Sequence, residues 1–387
     1  MILKQQPDDF SVEEITNLTP GDNGPFALYL LEKRGWTTPD ALQMVRRRWK
    51  IDHRRMSYGG LKDRHAHTKQ HFSIFHGPRR QMTHPGITVT YVGQVAEPFT
   101  SRNIDLNRFR MVLRAVTAEE LQFAESALAE LAHAGVPNYF DDQRFGSVIG
   151  HGDFMAKAIM LGEYERALRL ALAAPYPHDR RDKKKEKATL NAHWGDWPVC
   201  KSHLSKSHAR SLVDYLVHHP TDFRGAVARL QPELRGLYLS AYQSHLWNRM
   251  LAGWLRSRLH PQQLIDISLS LGPYPMQRSL EPEQRQALAD LVLPLPSSRM
   301  NWLPDDPRKA IFDQILTEES LQVDQFKLRG LRDLFFSRGE RTALCMPADL
   351  QSSADDDENH PGKRKLTLSF ALPRGSYATL IVKRISM

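Results

Sequence analysis

A chain of 387 residues, 41% of them hydrophobic, is long enough for two domains with real cores, and its formal charge of +9 favours a polyanionic partner while also suiting an acidic protein or lipid surface. No run approaches the roughly 18 consecutive apolar residues of a membrane span, and the start MILKQQPDDF lacks the apolar core and cleavage site of a signal peptide, so a cytoplasmic protein with no membrane attachment is expected. The two cysteines, Cys200 and Cys345, lie far apart and outside any CxxC pair, which excludes a disulfide framework and a structural zinc site and leaves ordinary reduced thiols.

The first segment reads as mixed α and β structure. DFSVEEI alternates Phe10 and Val12 against polar neighbours, with Ile15 a candidate third inward residue. VRRRWKIDHRR, residues 45–55, suits an amphipathic helix that docks Val45, Trp49 and Ile51 on a sheet with its arginines in water. It also suits a face that holds phosphates. GGLKDRHAHTKQ, residues 59–70, begins with a glycine pair that lets the backbone turn sharply or approach a ligand. Asp63 then sits between Lys62 and Arg64, cations that would keep it ionised. Such a carboxylate can act as nucleophile or proton acceptor at a sugar carbon, where bond cleavage builds oxocarbenium-like charge. The same residues also suit a surface turn whose ion pairs contribute little. His65, His67 and His71 are close enough in sequence to share an ion, but no Cys and no HExxH spacing accompanies them, so solvated or RNA-facing strand positions are favoured over a metal.

ITVTYV, with Ile87, Val89 and Tyr91, and RMVLRAV read as further strands of a largely antiparallel sheet. Thr117 with Glu120 forms a capping box, Leu121, Ala124, Leu128 and Leu131 keep helical spacing, and Gly135 with Pro137 supplies a stop, which predicts a helix over 118–134. VPNYFDDQRFG, residues 136–146, interleaves Asn138, Gln143 and Arg144 with Tyr139, Phe140 and Phe145. Its rings can stack on an unstacked base or fill a core, and its amide can read a base edge. Asp141 and Asp142 add adjacent carboxylates that point in different directions. Residues 153–260 read mostly as helices, with Leu239, Tyr242, Leu246, Met250 and Trp254 on one apolar stripe. Within them HDRRDKKKEK, 178–187, reads as a mobile loop, with a phosphate contact as the alternative. QSSADDDENHPGKRK is polar and turn-rich, LTLSFAL alternates Leu366, Leu368, Phe370 and Leu372, and YATLIVK reads as a closing strand after a Pro-Arg-Gly turn. A helical insertion within one sheet domain follows.

LKQQPDDFSVEE, GGLKDRHAHTKQ and VPNYFDDQRFG together resemble the TruD family of tRNA pseudouridine synthases, and LSAYQSHLWN and LPRGSYATLIV support the match in the same order. The resemblance implies an α+β fold: a mainly antiparallel pseudouridine-synthase catalytic sheet domain, residues 1–160 and 341–387, interrupted by a helix-rich α/β insertion (TRUD) domain, residues 161–340, with RNA in the cleft between them. It places Asp63 on the catalytic position of GxKD(R/K)xAxTxQ and Lys4, in KxxPDDF, on the basic residue that accompanies it. Phe10, Asn138 and Tyr377 fall on substrate-contact positions, and Phe140 on the aromatic that lies against the target base. Asp141 stands where the family usually has glycine.

The implied reaction turns uridine into pseudouridine, with uridine 13 of tRNA the expected target. The implied partner is RNA, with no cofactor, no metal and no obligate protein partner, so that a monomer suffices. Two rival readings are a non-catalytic RNA-binding protein, such as a tRNA-folding chaperone, and a hydrolytic nucleosidase that pairs Asp63 with Asp141 or Asp142.

Overall fold

In the computed structural model, which describes residues 1–148, 152–176, 179–331 and 334–387, the chain runs through β1 (Phe10–Thr16), β2 (Phe26–Lys33), α1 (Thr38–Trp49), β3 (His67–Phe75), β4 (Ile87–Val95), β5 (Ile104–Val116) and α2 (Ala118–Ala134). A helical stretch that includes α3 (Arg181–Ala192) and α4 (Pro232–Arg258) follows, and the chain returns as β6 (Ala348–Asp356), β7 (Arg364–Pro373) and α5 (Ala378–Ile385). Contacts divide it into a sheet unit, Met1–Val136 with Leu344–Met387, and an insertion unit, Pro137–Ala343. The resemblance implies a first boundary at 160/161. The contacts draw it at 136/137, because Asn138 Nδ2 donates to Thr342 O (3.0 Å), Tyr139 Oη to Pro275 O (2.8 Å) and Phe140 N to Asn248 Oδ1 (2.8 Å), all within the insertion unit.

The sheet unit orders its main strands β6-β7-β5-β1-β3-β2-β4, followed by the short strand Met82–His84. Every neighbouring pair is antiparallel except β1 with β3. Period-two burial holds along β1, but it brings Phe10, Val12 and Glu14 inward and leaves Ile15 half-buried. The third inward residue is therefore a charge, not the isoleucine the alternation predicted. Helix α1 covers β2, β3 and β4 by sinking Ala41, Leu42, Val45 and Trp49 into a core with Tyr29, Leu31, Phe72 and Val89. Arg47 and Arg48 stay exposed on its far side. The capping box at α2 forms as predicted, with Glu120 N donating to Thr117 Oγ1 (3.1 Å) and Thr117 N to Glu120 Oε2 (2.8 Å).

Two further stretches of the sheet unit differ from their sequence reading. YATLIVK is not a strand: α5 begins at Ala378 and buries Leu380, Ile381, Val382 and Ile385. It packs against α2, where Arg384 pairs with Glu130, so tertiary burial outweighs the β-preference of its branched residues. The polar stretch after Leu350 is in part the edge strand β6, whose mostly exposed residues carry no apolar alternation because neither face is covered.

In the insertion unit the predicted apolar stripe is realised on α4, where Leu239, Tyr242, Leu246, Met250 and Trp254 are all buried. Helices are accompanied by the hairpin Leu264–Leu269/Gly272–Gln277. The charge run is helical from Arg181 onward, in α3, with Lys183 paired to Glu186 (2.8 Å) and Lys187 to Asp179 (2.6 Å). His178 lies outside the described residues. Cys200 and Cys345 are buried and form no disulfide.

Trp49 packs at a tilt, 5.2 Å from the Tyr29 ring and beneath the Arg80 guanidinium, and fixes α1 on the sheet. Trp49→Ala is expected to lower the free energy of denaturant unfolding by about 3–5 kcal/mol. A loss near zero would show that the helix is held by other contacts.

Candidate active site

Lys4 reaches Asp63 from a loop that is pinned at its far end. Pro7–Asp9 form one 3₁₀ turn, and Asp9 accepts from Gln6 N (2.9 Å). The buried Asp9 carboxylate also takes Nε (3.0 Å) and Nη2 (2.9 Å) of Arg114 on β5. Arg114 in turn pairs with Asp357 at 3.0 Å, so Asp9 ties the amino terminus to the sheet and does not enter the site, while the exposed Asp8 pairs with Arg34 at 3.0 Å. Lys4 itself has φ 60°, a left-handed conformation that costs a non-glycine residue roughly 1–2 kcal/mol. Its Nζ lies 2.5 Å from Asp63 Oδ2 and 4.1 Å from the centre of the Phe10 ring.

The turn that carries Asp63 is clamped from four directions. Gln70 Nε2 donates to Gly60 O (3.1 Å), and Thr38 Oγ1 accepts from Lys62 N (3.0 Å) while donating to Gln70 Oε1 (2.7 Å). Lys33, at the end of β2, donates from Nζ to Asp63 O (2.8 Å) and Lys62 O (3.3 Å). Arg64 Nε donates to Gly35 O (3.1 Å). Ala66, Thr68 and Gln70 have no exposed surface, which gives the motif positions after Asp63 a packing reason. Gly59 is needed for close approach, since a Cβ there would lie 2.5 Å from Ile104 Cδ1.

Neither sequence neighbour neutralises Asp63, contrary to the sequence reading. Lys62 turns down to Glu14 Oε1 (3.0 Å) and Asn107 Oδ1 (2.7 Å), and Arg64 goes to a carbonyl. Burial raises the pKa of Asp63, but the hydrogen bond from Lys4, the His65 N–H (2.9 Å to Oδ1) and the Lys4 charge outweigh it, so the carboxyl sits below the ordinary aspartate range. Beneath it, burial pushes Glu14 up despite Lys62 and the N–H of His71. Both oxygens of Asp63 are thus held, and its side chain keeps 37% of its surface exposed, enough to meet a substrate.

Of the other predicted residues, Phe10 is brought to Lys4 directly. Tyr377, half-buried, is the residue from which α5 starts, just beyond the end of β7. Asn138 and Phe140 belong to the insertion unit. Asn138 is buried with its amide committed: Nδ2 to Thr342 O, and Oδ1 accepting from Arg341 Nη2 (2.6 Å). The Phe140 ring lies under the Arg341 guanidinium at 4.3 Å and edge-on to Trp247, and Asn248 bonds both its N–H and its C=O (2.8 Å each). The LSAYQSHLWN segment therefore serves as the bracket for NYF. Asp141 has φ −89° and ψ 171°, ordinary extended backbone, so its replacement of glycine causes no strain. Asp142 Oδ1 accepts from Ser270 N (2.8 Å). His67 pairs with Glu32 (2.6 Å), and the partly buried His71 ring lies against Phe99.

Lys33 is the residue the sequence reading missed. Its signal was present: Ala27, Tyr29, Leu31 and Lys33 share the inward side of one strand. Burial lowers its pKa to about 8, partly offset by the Asp63 charge and reinforced by Lys62. The unfolded chain keeps that proton up to about 10.4. Between these pH values the folded state binds fewer protons, so this group makes stability rise with pH across that window. Lys33→Met is expected to remove an alkaline gain of about 2 kcal/mol, read as the difference between wild-type and variant unfolding free energies at pH 7.5 and 10. Equal pH dependence in the two proteins would contradict the lowered pKa of Lys33.

The sequence model of the family described as tRNA pseudouridine synthase D (TruD) matches residues 1–385. The Methanococcus maripaludis protein named "Probable tRNA pseudouridine synthase D 1" is 31% identical over 395 residues, covering 100% of this chain and 99% of its own. The tRNA pseudouridine synthase D of Leptospira interrogans is 28% identical, with 100% and 96% covered. A crystal structure of a Methanosarcina mazei protein assigned as tRNA pseudouridine synthase D superposes with a TM-score of 0.74 at 26% identity, covering 99% of this chain and 93% of that one. With its motifs matched along nearly the whole length, this chain belongs to the TruD family of tRNA pseudouridine synthases.

Proposed function

We propose that this chain isomerises uridine to pseudouridine in tRNA, with uridine 13 as the target and Asp63 as the reacting carboxylate. The observation that carries the proposal is an ionised Asp63, held between the Lys4 ammonium and the His65 N–H at the edge of solvent. In the reaction the N1–C1′ bond breaks, the detached base rotates, and C5 bonds to C1′. The proton lost from C5 is balanced by one gained at N1, so atoms and charge balance without a co-reactant. Positive charge builds at C1′ as the bond breaks, and a carboxylate beside the ribose stabilises it, by attack on C1′ or by taking a sugar proton. Both routes need the anion that Lys4 maintains.

The uridine must leave its stack to meet Asp63, at a cost of a few kcal/mol. Phe10, Asn138, Phe140 and Tyr377 are the substrate-side residues in this reading. Phe140 stacks on the base once Arg341, which covers its ring in the free chain, gives way. Asn138 acts by holding Arg341, since its own amide is already bonded. The rival nucleosidase reading needs Asp141 or Asp142 as its second carboxylate and predicts release of free base; Asp141 is buried, and Asp142 accepts from the Ser270 N–H of its own unit.

Asp63→Asn is expected to keep its fold and its RNA affinity while releasing no tritium from tRNA labelled at uridine C5. Release at the wild-type rate would remove Asp63 from the chemistry. RNA binding without product in the wild-type protein would favour a non-catalytic RNA-binding role.

A further inference from the structure

In the insertion unit a concave site of ≈ 760 Å³ is lined by Arg299, Lys327, Arg329 and Arg338 together with Phe335 and Phe336. All four cations are exposed, and none makes an ion pair among the described residues. Among the described residues no acid lines the cavity, although the chain carries 44 acids against 53 cations and an ordinary surface would mix the signs. Arg332 and Asp333 lie outside the described residues.

Phe335 is 74% exposed, and its neighbours explain why it stays so. Leu334 and Phe336 are buried, Phe336 against Phe326 at 5.1 Å, and in an extended segment alternate residues point to opposite sides. Arg224 donates from Nη2 to Arg329 O (3.0 Å), and Gly330 beside it takes φ +77°, a conformation that favours glycine. A flat ring held in water among unpaired cations, in a concave site, is the combination that binds an unpaired nucleotide: the ring takes the base face and the cations take its phosphates.

We infer that this cavity is a second RNA subsite, which stacks an unpaired nucleotide on Phe335 and binds its flanking phosphates through Arg299, Lys327, Arg329 and Arg338. Among the described residues it holds no carboxylate for chemistry, so the nucleotide is one other than the reacting uridine. The inference rests on the tRNA reading above and adds where a further unpaired part of the substrate is gripped. An acidic peptide would satisfy the charge but leave the exposed ring without a purpose.

The test measures binding of a tRNA transcript to the full-length protein over a range of salt concentrations. Phe335→Ala is expected to raise Kd by roughly 5- to 100-fold, the scale of one lost stacked base, while Phe335→Trp stays near wild type. Lys327→Gln combined with Arg338→Gln should make the dependence of log K on log salt shallower by roughly 1 to 2. Unchanged affinity in Phe335→Ala overturns the subsite even if the double variant loses salt dependence, which would leave a plain basic surface or a site for an acidic protein. Pseudouridine formed by wild-type protein on the same transcript is scored in parallel. Its absence counts against the isomerase reading, whereas product together with unaltered binding by both variants counts against the subsite alone.

Discussion

A buried ammonium bonded to two main-chain carbonyls is the interaction on which the site depends. Lys33 holds the carbonyls of Lys62 and Asp63 from below, and this fixes the direction in which the Asp63 side chain leaves the backbone. A charge in that position is costly unless its donors are used, and the fold uses them on the one turn that must not move. Thr38 and Gln70 complete the clamp through uncharged hydrogen bonds, which leaves the electrostatics to the lysines.

Three lysines and two acids then divide the work. Lys62 is spent on Glu14, inside the sheet, and Lys33 on carbonyls, so neither sits on the Asp63 carboxylate. Lys4 does, and the strained loop that delivers it is anchored through Asp9 and Arg114, well away from the reacting atoms. Separating the anchor from the delivered charge leaves one edge of Asp63 open to solvent and to substrate. The insertion unit shows the same economy: Asn248 bonds the main chain of Phe140 and Arg341 lies over its ring, so the ring is held in place before any RNA arrives.

Much of this was legible in the sequence wherever a local rule acts alone. The capping box at Thr117, the alternation in LTLSFAL and the apolar stripe on α4 are set by period and hydrogen-bonding chemistry within a few residues, and they fold as read. The motif around Asp63 marked the turn correctly. Adjacency in sequence pointed to Lys62 and Arg64 as its partners, whereas the resemblance pointed to Lys4, which the chain brings from 59 residues away. Lys33 escaped for the same reason, lying 30 residues before the carbonyl it holds. Glu14 in place of Ile15, and a helix in place of a strand at YATLIVK, are cases where tertiary burial decided between local options that propensity alone ranks wrongly.

The central claim is that Lys4 keeps Asp63 ionised by outweighing the cost of its burial. The most direct measurement is the pH dependence of single-turnover pseudouridine formation in wild-type and Lys4→Met proteins. With Lys4 removed, burial acts against a weaker opposition and the carboxyl pKa rises, so the acidic limb of the profile should move to higher pH and activity should return as pH increases. An acidic limb at the same pH in both proteins would contradict the account.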